Sequence, residues 1–149
     1  KVAKMMTTLP ADVLPILLSF DGRPTNFTVP TTYFTKPNYC SREKLMTCLS
    51  TFFYAKQQAD TGKHVVLIID SLDKMFTAFN GCMQKAGLID PNLYSSAAVM
   101  DYESILCSSS LLQAGGSLTI VGLHQQGTSP QMIQISDRLS QIMDSVLEV

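Results

Sequence analysis

The chain of 149 residues contains few charged side chains and no tryptophan. Asp, Glu, Lys and Arg make up 15% of the sequence, whereas about 25% is usual for globular domains. The net charge is −1, and the lysines and arginines form no run. Strong non-specific binding to nucleic acid needs clustered basic side chains, so the composition argues against it.

Long apolar runs and recognisable cysteine patterns are also missing. No segment approaches the ~20 apolar residues that a membrane-spanning helix needs, and no signal-peptide pattern stands at the amino end. Cys40, Cys48, Cys82 and Cys107 fit no metal-binding spacing. We interpret them as reduced, mostly buried thiols, and we expect a cytoplasmic protein without a membrane segment.

The most informative pattern that is present runs from Lys63 to Asn80. Five apolar residues, 65–69, end on Asp70, and Ser71 and a helix-like pattern follow. This is typical of a buried parallel strand that brings a carboxylate to the carboxyl edge of a sheet, where nucleotide-hydrolysing α/β domains place a magnesium-orienting aspartate. Asp70 is therefore a candidate magnesium-orienting acid, and capping of the next helix is the alternative. We interpret Ser71 as the start of that helix, and a role as a ligand is the alternative.

Hydrophobic spacing and turn residues predict the secondary-structure elements that precede this strand. Residues 13–20 predict a strand, in which Pro15 favours an edge position or a position early in the strand. Residues 31–35 predict a short extended piece. Residues 42–59 have helical spacing, with Ser41 as the N-cap and an aromatic run, 52–54, that we predict to be core.

The remaining elements continue the alternation of strands and helices. We predict a helix over 71–79, a loop over 80–94, a helix over 97–113, a strand over 117–123, a helix over 131–142 and a short strand over 145–149. Strands that alternate with helices predict one α/β domain over 1–149, with a mostly parallel sheet and right-handed crossovers.

Serine and histidine nucleophile motifs are not apparent. The three serines at 108–110 have no G-x-S-x-G context and no paired histidine, so we predict a polar helix face. His64 and His124 have no metal partner at helical spacing.

Four segments, in the same order, resemble the transcription termination factor Rho. They are V-L-P-I-L-L-S-F-D-G-R-P at 13–24, V-L-I-I-D-S-L at 66–72 with A-F-N at 78–80, G-L-I-D-P-N-L at 87–93, and G-G-S-L-T-I at 115–120. The resemblance covers about residues 13–149. The rotary ATPase subunits have the same kind of core but match this sequence less well.

The resemblance implies a RecA-like three-layer α/β fold and the activity of an RNA-dependent ATPase and helicase. It implies ATP and Mg²⁺ as cofactors, RNA as a partner and a ring-shaped homo-oligomer. On this sequence Asp70 matches the Walker B acid, with Ser71 and His124 beside the nucleotide, although a polar loop is the alternative for His124. Arg23 matches a residue that contacts phosphate or a neighbouring subunit, with an exposed turn as the alternative, and Lys85 matches an RNA contact.

Departures from the family concern the phosphate site. A phosphate loop needs G-x-x-x-x-G-K-[ST] at the start of a helix, whereas the one Gly-Lys pair, Gly62-Lys63, is followed by His64 and precedes a strand. In the family the phosphate loop lies before the strand at 13–20. We therefore expect this chain to be a fragment of a longer protein that lacks the strand carrying the loop.

The water-activating glutamate of the family is also replaced. Its position is taken by Gly22, which has no carboxylate to polarise water. Two functions therefore stay open, and whether this chain is an enzyme stays open with them. One is a piece of an ATP-dependent RNA translocase that is catalytically incompetent alone. The other is a degenerate, non-catalytic structural or protein-interaction module.

Overall fold

In the described part of the chain, the protein folds around a sheet of four parallel strands. The computed structural model describes residues 8–20, 22, 31–85, 95–108, 115–125, 127 and 130–145. The elements are β1 (Val13–Ser19), β2 (Thr31–Phe34), α1 (Ser41–Asp60), β3 (His64–Ile69), α2 (Leu72–Lys85), α3 (Ser96–Cys107), β4 (Ser117–Gly122) and α4 (Pro130–Ile142). The strand order is β2-β1-β3-β4, with every pair parallel. The predicted α/β class with a parallel sheet is confirmed.

Strand β3 lies between β1 and β4 and forms the middle of the core. Leu67 is paired with Ile16 on one side and with Ile120 on the other. Leu67 and Ile68 point to opposite faces of the sheet, and both are fully buried. Burial of both faces explains why β3 is a continuous apolar run instead of an alternating one.

Pro15 lies in an internal strand, so the edge position that it suggested is wrong. The alternative, a position early in the strand, is confirmed. Pro15 is opposite Val66 of β3, and the ladder between β1 and β2 starts only at Ile16. Proline is therefore placed before the part of β1 that has a neighbour on both sides.

Helix α1 covers the predicted span, with two corrections. The N-cap is Cys40, not Ser41, and the Cys40 N–H donates to a Glu43 carboxylate oxygen over 2.7 Å. Of the aromatic run, Phe52 is buried but Phe53 is 72% exposed. Consecutive helix residues point about 100° apart, so three in a row do not all face one core.

Helix α2 is longer than predicted and continues through Asn80 to Lys85. The buried Asn80 side chain accepts a hydrogen bond of 3.0 Å from the Ser95 N–H, just before α3. This contact ties α2 to α3 and gives a polar side chain a place inside the protein. Residues 86–94 of the predicted loop, 109–113 of the predicted third helix and 146–149 of the predicted last strand lie outside the described residues.

An aromatic cluster joins α2 to α3. The rings of Phe76 and Phe79 meet the Tyr102 ring edge to face, at 5.4 and 6.1 Å between centroids. The Tyr102 hydroxyl donates to the Leu72 carbonyl over 3.3 Å. Burial, and after it the nearby Asp73 carboxylate, raises the pKa of Tyr102 above its usual range. The hydroxyl therefore stays protonated and remains a donor.

The cysteines are less buried than the sequence suggested, since Cys40 and Cys107 are exposed and Cys82 is half-buried. Cys48 is buried, and burial raises the pKa of its thiol to about 12.

We expect a thiol-specific disulfide reagent at pH 8 to modify Cys40 and Cys107 in the native protein and to leave Cys48 unmodified until denaturant is added, because the thiolate is the reactive form. Peptide mapping measures this order, and fast modification of Cys48 in the folded protein would contradict it.

No helix within the described ranges has the length and apolar character needed to cross a membrane.

Candidate functional site

The carboxyl ends of β1, β3 and β4 meet at one edge of the sheet. Ser19 and Phe20 stand at the end of β1, Asp70 follows β3, and His124 follows β4. Parallel strands that are in register bring these residues together, since Leu18 is opposite Ile69 and Ile69 is opposite Gly122. This edge is where ligands bind in open α/β sheets, so we treat it as the candidate site.

Asp70 is held at this edge by the end of β1. The Ser19 hydroxyl donates to Asp70 Oδ2 over 2.6 Å, and the Phe20 N–H donates to Asp70 Oδ1 over 2.8 Å. The Asp70 N–H in turn donates to the Leu18 carbonyl over 3.1 Å. Two donors fix the orientation of the carboxylate, and each oxygen keeps a second lone pair for another donor.

Ser71 stands directly before helix α2 and caps its first turn. Its hydroxyl accepts a hydrogen bond of 3.2 Å from the Lys74 N–H, and its carbonyl accepts one from the Met75 N–H. Ser71 therefore makes the capping contact that was the alternative role for Asp70. This geometry fits the helix-start interpretation of Ser71, while Asp70 is directed to β1.

His124 contacts two side chains that sequence reasoning did not single out. Its Nδ1 lies 2.7 Å from Asp73 Oδ1, and its Nε2 lies 2.6 Å from Ser136 Oγ. The Gln125 N–H donates to the other Asp73 oxygen over 3.0 Å. No spacing in the sequence marks these residues as partners, because they come from α2, the end of β4 and α4.

Lys85 and the Gly62-Lys63 pair are not brought to this edge. Helix α2 is about 20 Å long at 1.5 Å per residue, and Lys85 is its last residue, far from Asp70. The Lys85 side chain and the whole of Arg23 lie outside the described residues. Gly62 and Lys63 lie at the amino end of β3, the opposite edge, where Lys63 Nζ donates to the Gln58 side chain over 2.6 Å.

Gly22 has a backbone conformation that other residues rarely adopt. Its φ is +60°, and a Cβ there would lie 2.8 Å from the Thr35 carbonyl oxygen and 3.0 Å from Pro37 Cδ. A glutamate, which the resemblance to Rho leads one to expect at this position, would be strained in this backbone. The local geometry therefore disfavours a carboxylate side chain at position 22.

The residues present fit a contact to magnesium better than a complete nucleotide site. Proteins bind Mg²⁺ through one or two carboxylates together with substrate phosphates and water, and the oriented Asp70 matches that role. Among the described residues no group of three or more His, Cys, Asp and Glu side chains is placed to hold a metal by itself. The 149 residues also contain no phosphate-loop motif.

No protein-family model matches the sequence, and no curated protein sequence matches it. Solved structures do match the fold. An ATPase described as prototypical, from the type III secretion system of pathogenic bacteria, superposes with a TM-score of 0.70 at 15% identity over 89% of this chain. The assembled ATPase EscN, from the type III secretion system of enteropathogenic E. coli, superposes with a TM-score of 0.66 at 13% identity over 94% of this chain.

These likenesses establish the fold, which is that of RecA-like ATPases, and confirm the predicted fold class. Both structures are secretion-system ATPases, so the narrower resemblance to Rho stays a prediction. The chain spans 42% and 40% of the lengths of the two structures. The likeness therefore covers less than half of either protein and extends to the fold alone.

Proposed function

We propose that this chain is a segment of a RecA-like ATPase core and that it does not hydrolyse ATP by itself. One observation carries the proposal: Asp70 is fixed at the carboxyl end of β3 by donors from Ser19 and Phe20. An oriented carboxylate at this edge is what a magnesium-orienting acid requires. The fold shared with secretion-system ATPases supports the same role.

The finer form of the proposal is a Rho-type, RNA-dependent translocase in the cytoplasm. It rests on the four quoted segments that resemble Rho. In a complete core, ATP and Mg²⁺ would lie beside Asp70, Ser71 and His124, with Arg23 at a phosphate or subunit contact and Lys85 toward RNA. A ring of identical subunits is the expected assembly, and one of the similar structures is an assembled ATPase.

A second candidate is a non-catalytic structural or protein-interaction module with the same fold. Gly22 favours it, since a glutamate there would be strained. The sequence encoded before Lys1 separates the two candidates. A G-x-x-x-x-G-K-[ST] motif there supports the ATPase segment, and its absence supports the interaction module.

Titration calorimetry with Mg-ATP tests the first proposal directly. We expect the isolated chain to show no binding in the micromolar range and no phosphate release, with or without RNA. The physical reason is that a carboxylate alone does not hold a triphosphate, which needs backbone N–H groups and a lysine. Micromolar binding or measurable hydrolysis by this chain would refute the statement that it is incompetent alone.

Gly22→Glu and Gly22→Ala form a matched pair for the missing carboxylate. We expect both to lower the free energy of unfolding by about 1–2 kcal/mol or more, because both force a side chain into the left-handed region beside the Thr35 carbonyl. We expect neither to release phosphate from ATP. Urea denaturation and a phosphate assay measure the two effects, and hydrolysis gained only by Gly22→Glu would show that the glutamate position is still functional.

A further inference from the structure

Three side chains from separate elements form a continuous line beside the candidate site. Asp73 lies in the first turn of α2, His124 follows β4, and Ser136 lies in the middle of α4. Ser136 Oγ is 2.6 Å from His124 Nε2, and His124 Nδ1 is 2.7 Å from Asp73 Oδ1. An acid, an imidazole and a hydroxyl in this order are the parts of an activated nucleophile.

The acid end of the line is itself held in place. The Gln125 N–H donates to Asp73 Oδ2 over 3.0 Å, which directs Oδ1 toward the imidazole. His124 Nδ1 and Asp73 Oδ1 are shielded from solvent and lie 2.7 Å apart, without the alignment of a hydrogen bond. The side chains of His124 and Asp73 are 16% and 17% exposed, and Ser136 is half-buried. None of the three side chains is fully buried.

We propose that Ser136 is a nucleophile toward activated acyl and phosphonyl esters, with His124 as its general base. Ser136 Oγ attacks the carbonyl carbon of an ester and passes its proton to His124 Nε2. The bond from that carbon to the alcohol oxygen breaks, and the alcohol leaves with the proton from His124. The product is an acyl ester on Ser136. Asp73 is a positioning residue that acts through His124.

The position of Ser136 in a helix limits the chemistry to a single modification. Fast turnover needs free N–H donors for the oxyanion, and N–H groups inside an α-helix are already bonded to carbonyls four residues earlier. Ser136 lies well past the first turn of α4, where N–H groups are free. We therefore expect one acylation per chain, followed by slow hydrolysis in which water cleaves the acyl ester and returns the free Ser136 hydroxyl.

Labelling by a fluorophosphonate probe tests the nucleophile. The Ser136 oxygen forms a bond to phosphorus, its proton passes to His124 Nε2, and fluoride leaves. We expect one adduct per chain by intact mass, located on Ser136 by peptide mapping. Ser136→Ala should abolish it, and Ser140→Ala, one turn further along α4 and exposed, should label like the original chain. Absence of labelling in the original chain, or equal labelling of Ser136→Ala, would overturn the proposal.

Substitution of the base and the acid separates chemistry from folding. His124→Gln should slow labelling about 100-fold or more, since general bases contribute at least that much. Asp73→Asn should reduce the maximal labelling rate while leaving the probe concentration for half-maximal rate unchanged. Circular dichroism and the thermal midpoint show whether each variant is folded. A folded His124→Gln variant that labels at the original rate would exclude His124 as the base.

Discussion

Replacement of Phe76 by alanine is expected to lower the free energy of unfolding by about 3–5 kcal/mol, the range for a buried phenylalanine. Phe76 is 2% exposed and packs edge to face on Tyr102 at 5.4 Å. Its loss removes apolar contacts and leaves a cavity between α2 and α3 that their backbones do not fill. Urea denaturation followed by circular dichroism measures the change. A domain of this size has a stability of only about 5–15 kcal/mol, so part of the variant should be unfolded in buffer.

Phe53→Ala is the matched control, because it removes the same side chain from α1 where it is 72% exposed. We expect a change within about 0.5 kcal/mol. An equal loss in the two variants would mean that Phe53 is covered in solution. A small loss at Phe76 would mean that the cluster around Tyr102 is not a tightly packed part of the core.

Local patterns predicted most of the architecture. The apolar run of β3, its end at Asp70 and the helix after it could be recognised because each signal lies within a few residues of the next. The parallel sheet followed from strands that alternate with helices. The pattern failed where position around a helix decides burial: Phe52 and Phe53 are neighbours in sequence but lie on different faces of α1.

A tertiary contact overrode the local signals at the end of α2. Asn80 and Gly81 indicated the end of α2, yet the helix continues because the Asn80 side chain has a partner in the Ser95 N–H. Such a partner, 15 residues away, is invisible to propensity. At the start of α1 the shift from Ser41 to Cys40 is one residue, which is the usual precision of cap assignment from sequence.

The candidate site was predicted only in part. Asp70 could be identified because strand, acid and helix are contiguous, but its donors Ser19 and Phe20 are 51 and 50 residues away. The line from Asp73 through His124 to Ser136 was missed for the same reason. Its members share no motif, and only the docking of α2, β4 and α4 places them together.

Asp70→Ala is expected to lower the free energy of unfolding by about 2–3 kcal/mol, because it removes the acceptor of two hydrogen bonds from β1. Hydrogen bonds to a charged group contribute about 1.5–3 kcal/mol each when buried, and partial exposure of Asp70 lowers that value. Asp101→Ala, at an exposed position of α3, is the control and should change stability by less than about 0.5 kcal/mol. A double-mutant cycle with Ser19→Ala should give a coupling of about 1 kcal/mol, since the two side chains are 2.6 Å apart. Equal stability of Asp70→Ala and Asp101→Ala would mean that β1 does not hold the Asp70 carboxylate in place. The proposed function would then lose the observation on which it rests.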